Sequence, residues 1–288
     1  MQAIAAWLVL RPQNAVMGLA VTLLLPAPQL TSGVIMALLV LAQGLRLALI
    51  EALIAAAVLL TVSLLFGVSI ESIVALAAGT WVPVFLLTAL LVRLRSLTLV
   101  MQVSVIVTIL AMLGFYIVVT DPVAFWQPYL EQMKLLAEQN NLQLNTELFT
   151  AEVMTISAAL AFWMLYIVGL LLGYALYRRL PIEIAEYGRF RDLNLGRVIA
   201  FTLALASVLA FLVEAAWIQN TAFVIFVMFW VQGLAIVHWM HGEGILPLAA
   251  LVAVYVLLPF LQVLLMTALA VFGYTDAWFG FRRRMKRA

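Results

Sequence analysis

Glu51 is the residue whose type and position most directly indicate chemistry. It lies within an apolar run, 47–66, that is long enough to cross a bilayer. Glu51 lies one turn into this run, where a carboxylate costs up to about 2.5–3.5 kcal/mol on insertion scales and less near the interface, so it predicts a proton, cation or substrate site. The alternative is a structural role, either as a pair with Arg46 or in a packed polar pocket. Because the i, i+5 spacing is poor for a pair on one helix, a partner from another helix is expected.

The segment 79–83 (GTWVP) interrupts the pattern of the next apolar run. Pro83 has no backbone N–H, and its ring displaces the carbonyl group four residues earlier, at Gly79. Backbone groups released inside a bilayer need other partners or a wet cavity, and broken helices line the binding sites of many transporters. We therefore predict a ligand cavity lined by Trp81 and Pro83, with Glu51 as its polar anchor. A simple kink, satisfied locally by a threonine hydroxyl, is the alternative.

Polar residues in the later apolar runs offer weaker candidates. Gln232 lies inside the run 222–239. It is predicted to form a hydrogen bond between helices, worth about 0.6–2 kcal/mol, and is a further candidate for ligand contact. An outer helix turn carries Glu214, Trp217, Gln219 and Asn220, which indicate either the mouth of an outward-open site or a solvated turn.

His238, His241 and Glu243 form the pattern H-x-x-H-x-E at the end of one apolar run. Two histidines three residues apart on a helix can share a face and bind a metal ion. The sequence has no other histidine and no cysteine, so a helix cap or a headgroup contact is favoured over a metal site. We predict no metal and no cofactor.

Catalytic motifs are also missing from the sequence. The phosphate-binding pattern G-x-x-x-x-G-K-[ST] does not occur, nor do H-E-x-x-H and G-x-S-x-G. With two histidines and no cysteine, hydrolytic catalysis has few available residues. The sequence therefore predicts a protein without enzymatic activity.

Composition and charge distribution predict a membrane protein. Hydrophobic residues make up 67% of the 288 residues and charged residues 10%, whereas soluble domains have about 45–50% and about 25%. Residues 121–152 carry five acids and one base, and residues 178–197 carry five arginines and three acids. Connections rich in arginine and lysine stay in the cytoplasm. The connection 120–150 is thus predicted to lie outside and the connection 178–197 inside.

These patterns predict an all-α, polytopic bundle of about 8–10 membrane segments, with both termini cytoplasmic. The whole chain, 1–288, is expected to form one domain in the inner membrane of a bacterium. An amphipathic helix is predicted over 123–140. The apolar stretch 245–273 contains Pro259, and we prefer a hairpin there to one kinked helix because a hairpin keeps the basic tail inside.

Arginines cluster at two predicted cytoplasmic places. Arg189 and Arg191 belong to the inner connection, and Arg282 and Arg283 to the tail. Such residues either bind a cytoplasmic or membrane partner protein or rest on anionic lipid headgroups as topology determinants. They are weak evidence for nucleic acid, and no nucleic-acid partner is expected.

Four short motifs lie between Trp81 and the tail. They are 81–83 with Arg95-Ser96-Leu97, Asp121-Pro122 with Trp126, Gln232-Gly233-Leu234-Ala235, and Gly273…Asp276-Ala277-Trp278 with Phe281-Arg282. In these motifs the chain resembles the YybS-like family of predicted integral membrane proteins, whose function is uncharacterised. The resemblance implies a distant relation to the substrate-binding components of energy-coupling-factor transporters, and hence small-molecule binding. It implies no catalytic residue.

Two functions follow as hypotheses. The first is a non-enzymatic transporter component that binds a small molecule or lipid near Glu51, Trp81, Pro83 and Gln232. The second is a membrane scaffold or assembly factor that acts through its basic cytoplasmic surfaces.

Overall fold

The computed structural model describes residues 2–140, 150–182, 184–213 and 215–285, without the side chains of Glu152 and Ala216. Within these residues the regular structure is helical and contains no strand, which confirms the all-α class. The α-helices are α1 (Gln2–Leu10), α2 (Pro12–Leu23), α3 (Pro28–Gln43), α4 (Leu45–Phe66), α5 (Ile70–Leu94), α6 (Leu97–Val118), α7 (Pro122–Gln139), α8 (Ala151–Tyr177), α9 (Gly196–Leu212), α10 (Ala216–Gly242), α11 (Leu248–Leu257), α12 (Gln262–Phe279) and α13 (Phe281–Met285).

Helix length and composition support a multi-pass membrane protein. Six helices in the described ranges, α4, α5, α6, α8, α10 and α12, are long and apolar enough to cross a membrane. A seventh candidate is formed by α1 and α2, which meet at an angle of 116°. Helices α3, α9 and α11 are apolar but shorter. The predicted 8–10 membrane segments therefore require these shorter helices to enter the membrane as well.

The chain divides into two compact units. Unit 1 comprises residues 1–100 and 162–188, and unit 2 comprises residues 101–161 and 189–288. Helices α6 and α8 contribute to both units. The single domain expected over 1–288 stays a prediction.

Helix α3 is the central helix of unit 1. Every residue from Ile35 to Leu41 is buried, as in a helix that is apolar on all sides and enclosed by others. Helix α3 packs against α2, α4 and α5. Gly169 and Gly173 of α8 lie against α3, where a Cβ atom on Gly173 would be 2.8 Å from the carbonyl oxygen of Val34. These two glycines, four residues apart on α8, thus serve internal packing.

Unit 2 is built on the contact between α10 and α12, its most extensive helix pair. Two glycines allow the close approach. A Cβ atom on Gly233 of α10 would overlap the carbonyl oxygen of Leu269, and one on Gly273 of α12 would overlap the carbonyl oxygen of Phe229. The backbones of the two helices are therefore in direct contact.

The predicted amphipathic helix over 123–140 is present as α7. Pro122 occupies its first turn, and the Ala124 N–H donates to Asp121 Oδ1 at 3.0 Å, which caps the helix. Residues 141–149 of the predicted outer connection lie outside the described residues.

The chain breaks near Pro259, as predicted, since α11 ends at Leu257 and α12 begins at Gln262. The two helices do not form a packed hairpin, because α11 packs mainly against α10. Helix α12 has 18 residues and is by itself a candidate membrane span. A hairpin of two short passes is therefore not supported by the packing.

Candidate functional site

An apolar cavity of about 400 Å³ lies between α4 and α5 in unit 1. Its volume falls within the range of about 300–1,000 Å³ that is usual for small-molecule sites. The lining side chains are apolar: Met36, Leu49, Ala52, Leu53, Ala56, Leu60, Ile73, Val74, Ala77, Ala78, Trp81, Val82 and Phe85. Leu53 and Val82 are also more than half exposed, so the cavity opens onto the apolar surface of two candidate membrane spans.

Trp81 forms part of this wall, as predicted, and a hydrogen-bond chain fixes its indole. Trp81 Nε1 donates to Ser32 Oγ at 2.7 Å, and the Ser32 hydroxyl donates to the carbonyl oxygen of Leu19 at 3.0 Å. Ser32 is fully buried. The chain joins α2, α3 and α5 and leaves the indole N–H unavailable to a ligand. Sequence reasoning missed Ser32, although a hydroxyl inside an apolar run was a usable signal.

Pro83 does not interrupt its helix, and the prediction of a broken segment at 79–83 is wrong. Helix α5 is continuous from Ile70 to Leu94. The carbonyl group released by Pro83 is that of Gly79, and it accepts a hydrogen bond from the Tyr166 hydroxyl at 2.7 Å. Because Tyr166 replaces the missing N–H donor, the helix continues without a gap. Pro83 itself is not among the residues that line the cavity.

Replacing Tyr166 with phenylalanine is expected to lower the free energy of unfolding by about 1–3 kcal/mol, because the Gly79 carbonyl would lose its donor. In a Pro83→Ala background the alanine N–H can reach that carbonyl, so the same change should cost clearly less. Denaturant titration of the four proteins of this double-mutant cycle measures the difference. Tyr129→Phe, at an exposed residue, is the control. Equal costs in the two backgrounds would contradict the assignment.

Glu51 is buried, with 1% of its surface exposed, but it does not line the cavity. Neither carboxyl oxygen has a hydrogen-bond partner among the described residues. Arg46 is exposed and forms no ion pair with it within the described ranges. The amide of Gln43, from α3, lies beside the carboxyl group but outside hydrogen-bond geometry. A neighbour from another helix is present, but the predicted partner interaction is not formed among the described residues. The predicted anchor role in this cavity is not supported either.

Gln232 lies in unit 2 and forms the predicted hydrogen bonds between helices. Its Oε1 atom accepts from the Leu195 N–H at 2.7 Å, and its Nε2 atom donates to the carbonyl oxygen of Gly273 at 2.9 Å. It is fully buried. Both ends of the amide are used in packing, which leaves its ligand role without support.

Arg282 is also buried, and this corrects the expectation of a tail residue that contacts lipid or a partner. Its Nη2 atom lies 2.6 Å from Asp276 Oδ2. The same guanidinium donates to the carbonyl oxygens of Arg191 at 2.8 Å and Leu193 at 2.6 Å. The two charges therefore neutralise each other in the interior of unit 2, and the guanidinium holds two backbone carbonyl groups.

The other predicted surface arginines differ from Arg282. Arg189 and Arg283 are exposed. Arg191 is half-buried against Gly242, and its Nε atom has no hydrogen-bond partner within the described ranges. Arg189 and Arg283 thus remain available to lipid headgroups or to a partner protein.

The two histidines make separate hydrogen bonds. A His238 ring nitrogen lies 2.7 Å from the Tyr255 hydroxyl, and His241 Nδ1 lies 3.0 Å from the Leu246 carbonyl oxygen. Because a carbonyl only accepts, His241 Nδ1 carries the hydrogen and caps this helix end. No group of three or more acidic, histidine or cysteine side chains converges in the part of the chain described.

The outer turn predicted at residues 214–220 is described only in part. Glu214 lies outside the described residues. Asn220 Nδ2 donates to the Tyr116 hydroxyl at 2.6 Å, which gives Asn220 a packing contact.

Comparisons with protein-family models, with curated proteins and with solved structures gave no significant match. The resemblance to the YybS-like family therefore stays a prediction. Five of the residues that carry it, Gln232, Gly233, Gly273, Asp276 and Arg282, lie together where α10 meets α12 in unit 2. Their contacts are structural, and the candidate ligand cavity lies in unit 1.

Proposed function

We propose that this membrane protein binds an apolar small molecule or a lipid acyl chain in the cavity of unit 1. We further propose that it acts as a non-enzymatic transporter component in a bacterial inner membrane. The supporting observation is the wholly apolar lining of the cavity and its position on two candidate membrane spans. A cavity wall without a free hydrogen-bond donor, acceptor or charge favours an apolar ligand, because a polar ligand would lose its hydrogen bonds to water there.

Whether the ligand enters from water or from the bilayer determines which interaction gives the cavity its selectivity. A molecule that arrives from water gains about 0.8 kcal/mol for each buried methylene group. A molecule that arrives from the bilayer gains little from transfer, because lipid tails are as apolar as the lining. Close fit against Trp81 and Phe85 then supplies the selectivity through van der Waals contact.

Ala56→Leu tests the proposal, because Ala56 lines the cavity and leucine adds three carbon atoms to its interior. We expect mass spectrometry of the protein purified in mild detergent to find a co-purifying apolar molecule, and we expect several-fold less of it with Ala56→Leu. Ala57→Leu is the matched control, since Ala57 is the next residue of α4, is exposed and does not line the cavity. Equal occupancy in wild type and both variants would overturn the proposal.

The scaffold function remains the alternative, and the exposure of Arg189 and Arg283 favours it. Under that hypothesis the same purification recovers a protein partner instead of an apolar ligand. Arg189→Ala then reduces the recovery of the partner, whereas Ala56→Leu has no effect.

A further inference from the structure

Buried oxygen atoms without a hydrogen-bond partner occur on two neighbouring side chains, Glu51 and Gln43. The atoms are both carboxyl oxygens of Glu51 and the amide oxygen of Gln43, none of which has a hydrogen-bond partner among the described residues. The other end of the Gln43 amide is occupied, because Nε2 donates to the carbonyl oxygen of Val9 at 3.2 Å. That bond orients the amide and leaves its oxygen free for another group.

Among the described residues of the helices packed around α4, none brings a counter-charge to this cluster. The helices that pack against α4 are α2, α3 and α5. Helix α1 is included because Val9 accepts the hydrogen bond from Gln43. Helices α1, α2 and α3 contain no ionisable side chain. Glu71 and Arg93 of α5 are exposed at the two ends of that helix. Arg46, on α4 itself, is exposed as well.

Buried acceptors without a partner are strongly unfavourable unless a donor or a positive charge joins them, and a carboxylate among them favours the positive charge. One carboxylate supplies one negative charge, which a single positive charge neutralises, whereas a divalent ion would keep an uncompensated charge. Carboxylates inside membrane segments commonly bind protons or ions. We propose that Glu51 and Gln43 form a binding site for a monovalent cation, either a proton or an alkali metal ion.

This site goes beyond the apolar ligand proposed for the cavity and does not depend on it. Glu51 does not line the cavity, yet α4 contributes Leu49, Ala52 and Leu53 to the cavity wall. The two sites therefore share one helix while they differ completely in chemistry.

Dicyclohexylcarbodiimide tests the site in the intact purified protein, since this reagent reacts with protonated carboxyl groups in apolar surroundings. The carboxyl proton moves to a carbodiimide nitrogen, the carboxyl oxygen adds to the central carbon, and rearrangement gives a stable N-acylurea. We expect peptide mass spectrometry to find the adduct on Glu51, and Glu51→Gln to abolish it. Glu71→Gln is the matched control and should leave the adduct unchanged, because Glu71 is exposed.

The dependence of the labelling rate on pH and on sodium distinguishes a bound proton from a bound alkali metal ion. For a proton site, the labelling rate falls several-fold from mildly acidic to mildly alkaline pH and is the same in sodium chloride and choline chloride. For a metal ion site, sodium chloride slows labelling at constant pH and choline chloride does not. Gln43→Leu retains the carboxyl group, and it should still label while losing most of the sodium protection. Absence of an adduct on Glu51 at every pH, or a rate insensitive to both pH and sodium, would overturn the proposal.

Discussion

Replacing Gly273 with alanine is expected to separate α10 from α12. The new Cβ atom would overlap the carbonyl oxygen of Phe229 and lie 2.9 Å from the backbone nitrogen of Gly233. Backbone atoms cannot rotate away as side chains can, so the helices must move apart. Overpacking of this kind costs about 1–3 kcal/mol and occasionally more. Titration with a denaturing detergent, monitored by tryptophan fluorescence, measures this loss of stability.

Gly114→Ala is the matched control for this prediction. Gly114 lies inside α6, and a Cβ atom there would meet nothing within 4 Å. Alanine favours a helix over glycine by about 1 kcal/mol, so this variant should be neutral or slightly more stable. Similar stabilities of Gly273→Ala and Gly114→Ala would show that the crossing is less tight than the structure indicates.

Replacing Arg282 with leucine is expected to lower the free energy of unfolding by about 3–5 kcal/mol, because it leaves the Asp276 carboxylate buried without its partner. The carbonyl groups of Arg191 and Leu193 lose their donor at the same time. The second variant, Arg282→Leu with Asp276→Asn, removes the unpaired charge and should recover part of the loss. The same denaturing titration compares them.

Arg283→Leu is the control, since Arg283 is exposed and next in sequence. A surface substitution of this kind usually changes stability by no more than about 0.5 kcal/mol. If Arg282→Leu were no more destabilising than Arg283→Leu, the buried ion pair would not be formed in the protein.

Local features of the structure could be predicted from the sequence. The apolar runs 47–66 and 222–239 coincide with most of α4 and α10, and the amphipathic pattern over 123–140 coincides with α7. The released carbonyl of Gly79 was also predictable, because the effect of proline acts four residues away on the same helix.

Partners from distant parts of the chain could not be predicted. Tyr166 lies 87 residues from Gly79, and Ser32 lies 49 residues from Trp81. Periodicity indicates which face of a helix is apolar, but it does not say which residue of another helix faces it. The error at Pro83 follows from this limit, since the break is prevented by a hydroxyl group from α8.

The role of Arg282 was missed for a different reason. The positive-inside rule treats every arginine near a membrane helix alike. Gly280 ends α12 in the left-handed region, with a φ of 60°, and the chain turns back there. That turn returns Arg282 to Asp276, six residues earlier. An acid, a glycine and an arginine at this spacing were a usable signal.

The contacts of Arg282 also constrain the order in which the protein is assembled during synthesis. The ribosome makes Arg191 and Leu193 about ninety residues before it makes Arg282, which holds their carbonyl groups. Until then these two carbonyl groups lack the hydrogen bonds from Arg282, although α9 and α10 have already left the ribosome. Closure of unit 2 is therefore a late event, and a ribosome stalled within α12 would leave this stretch open to proteases.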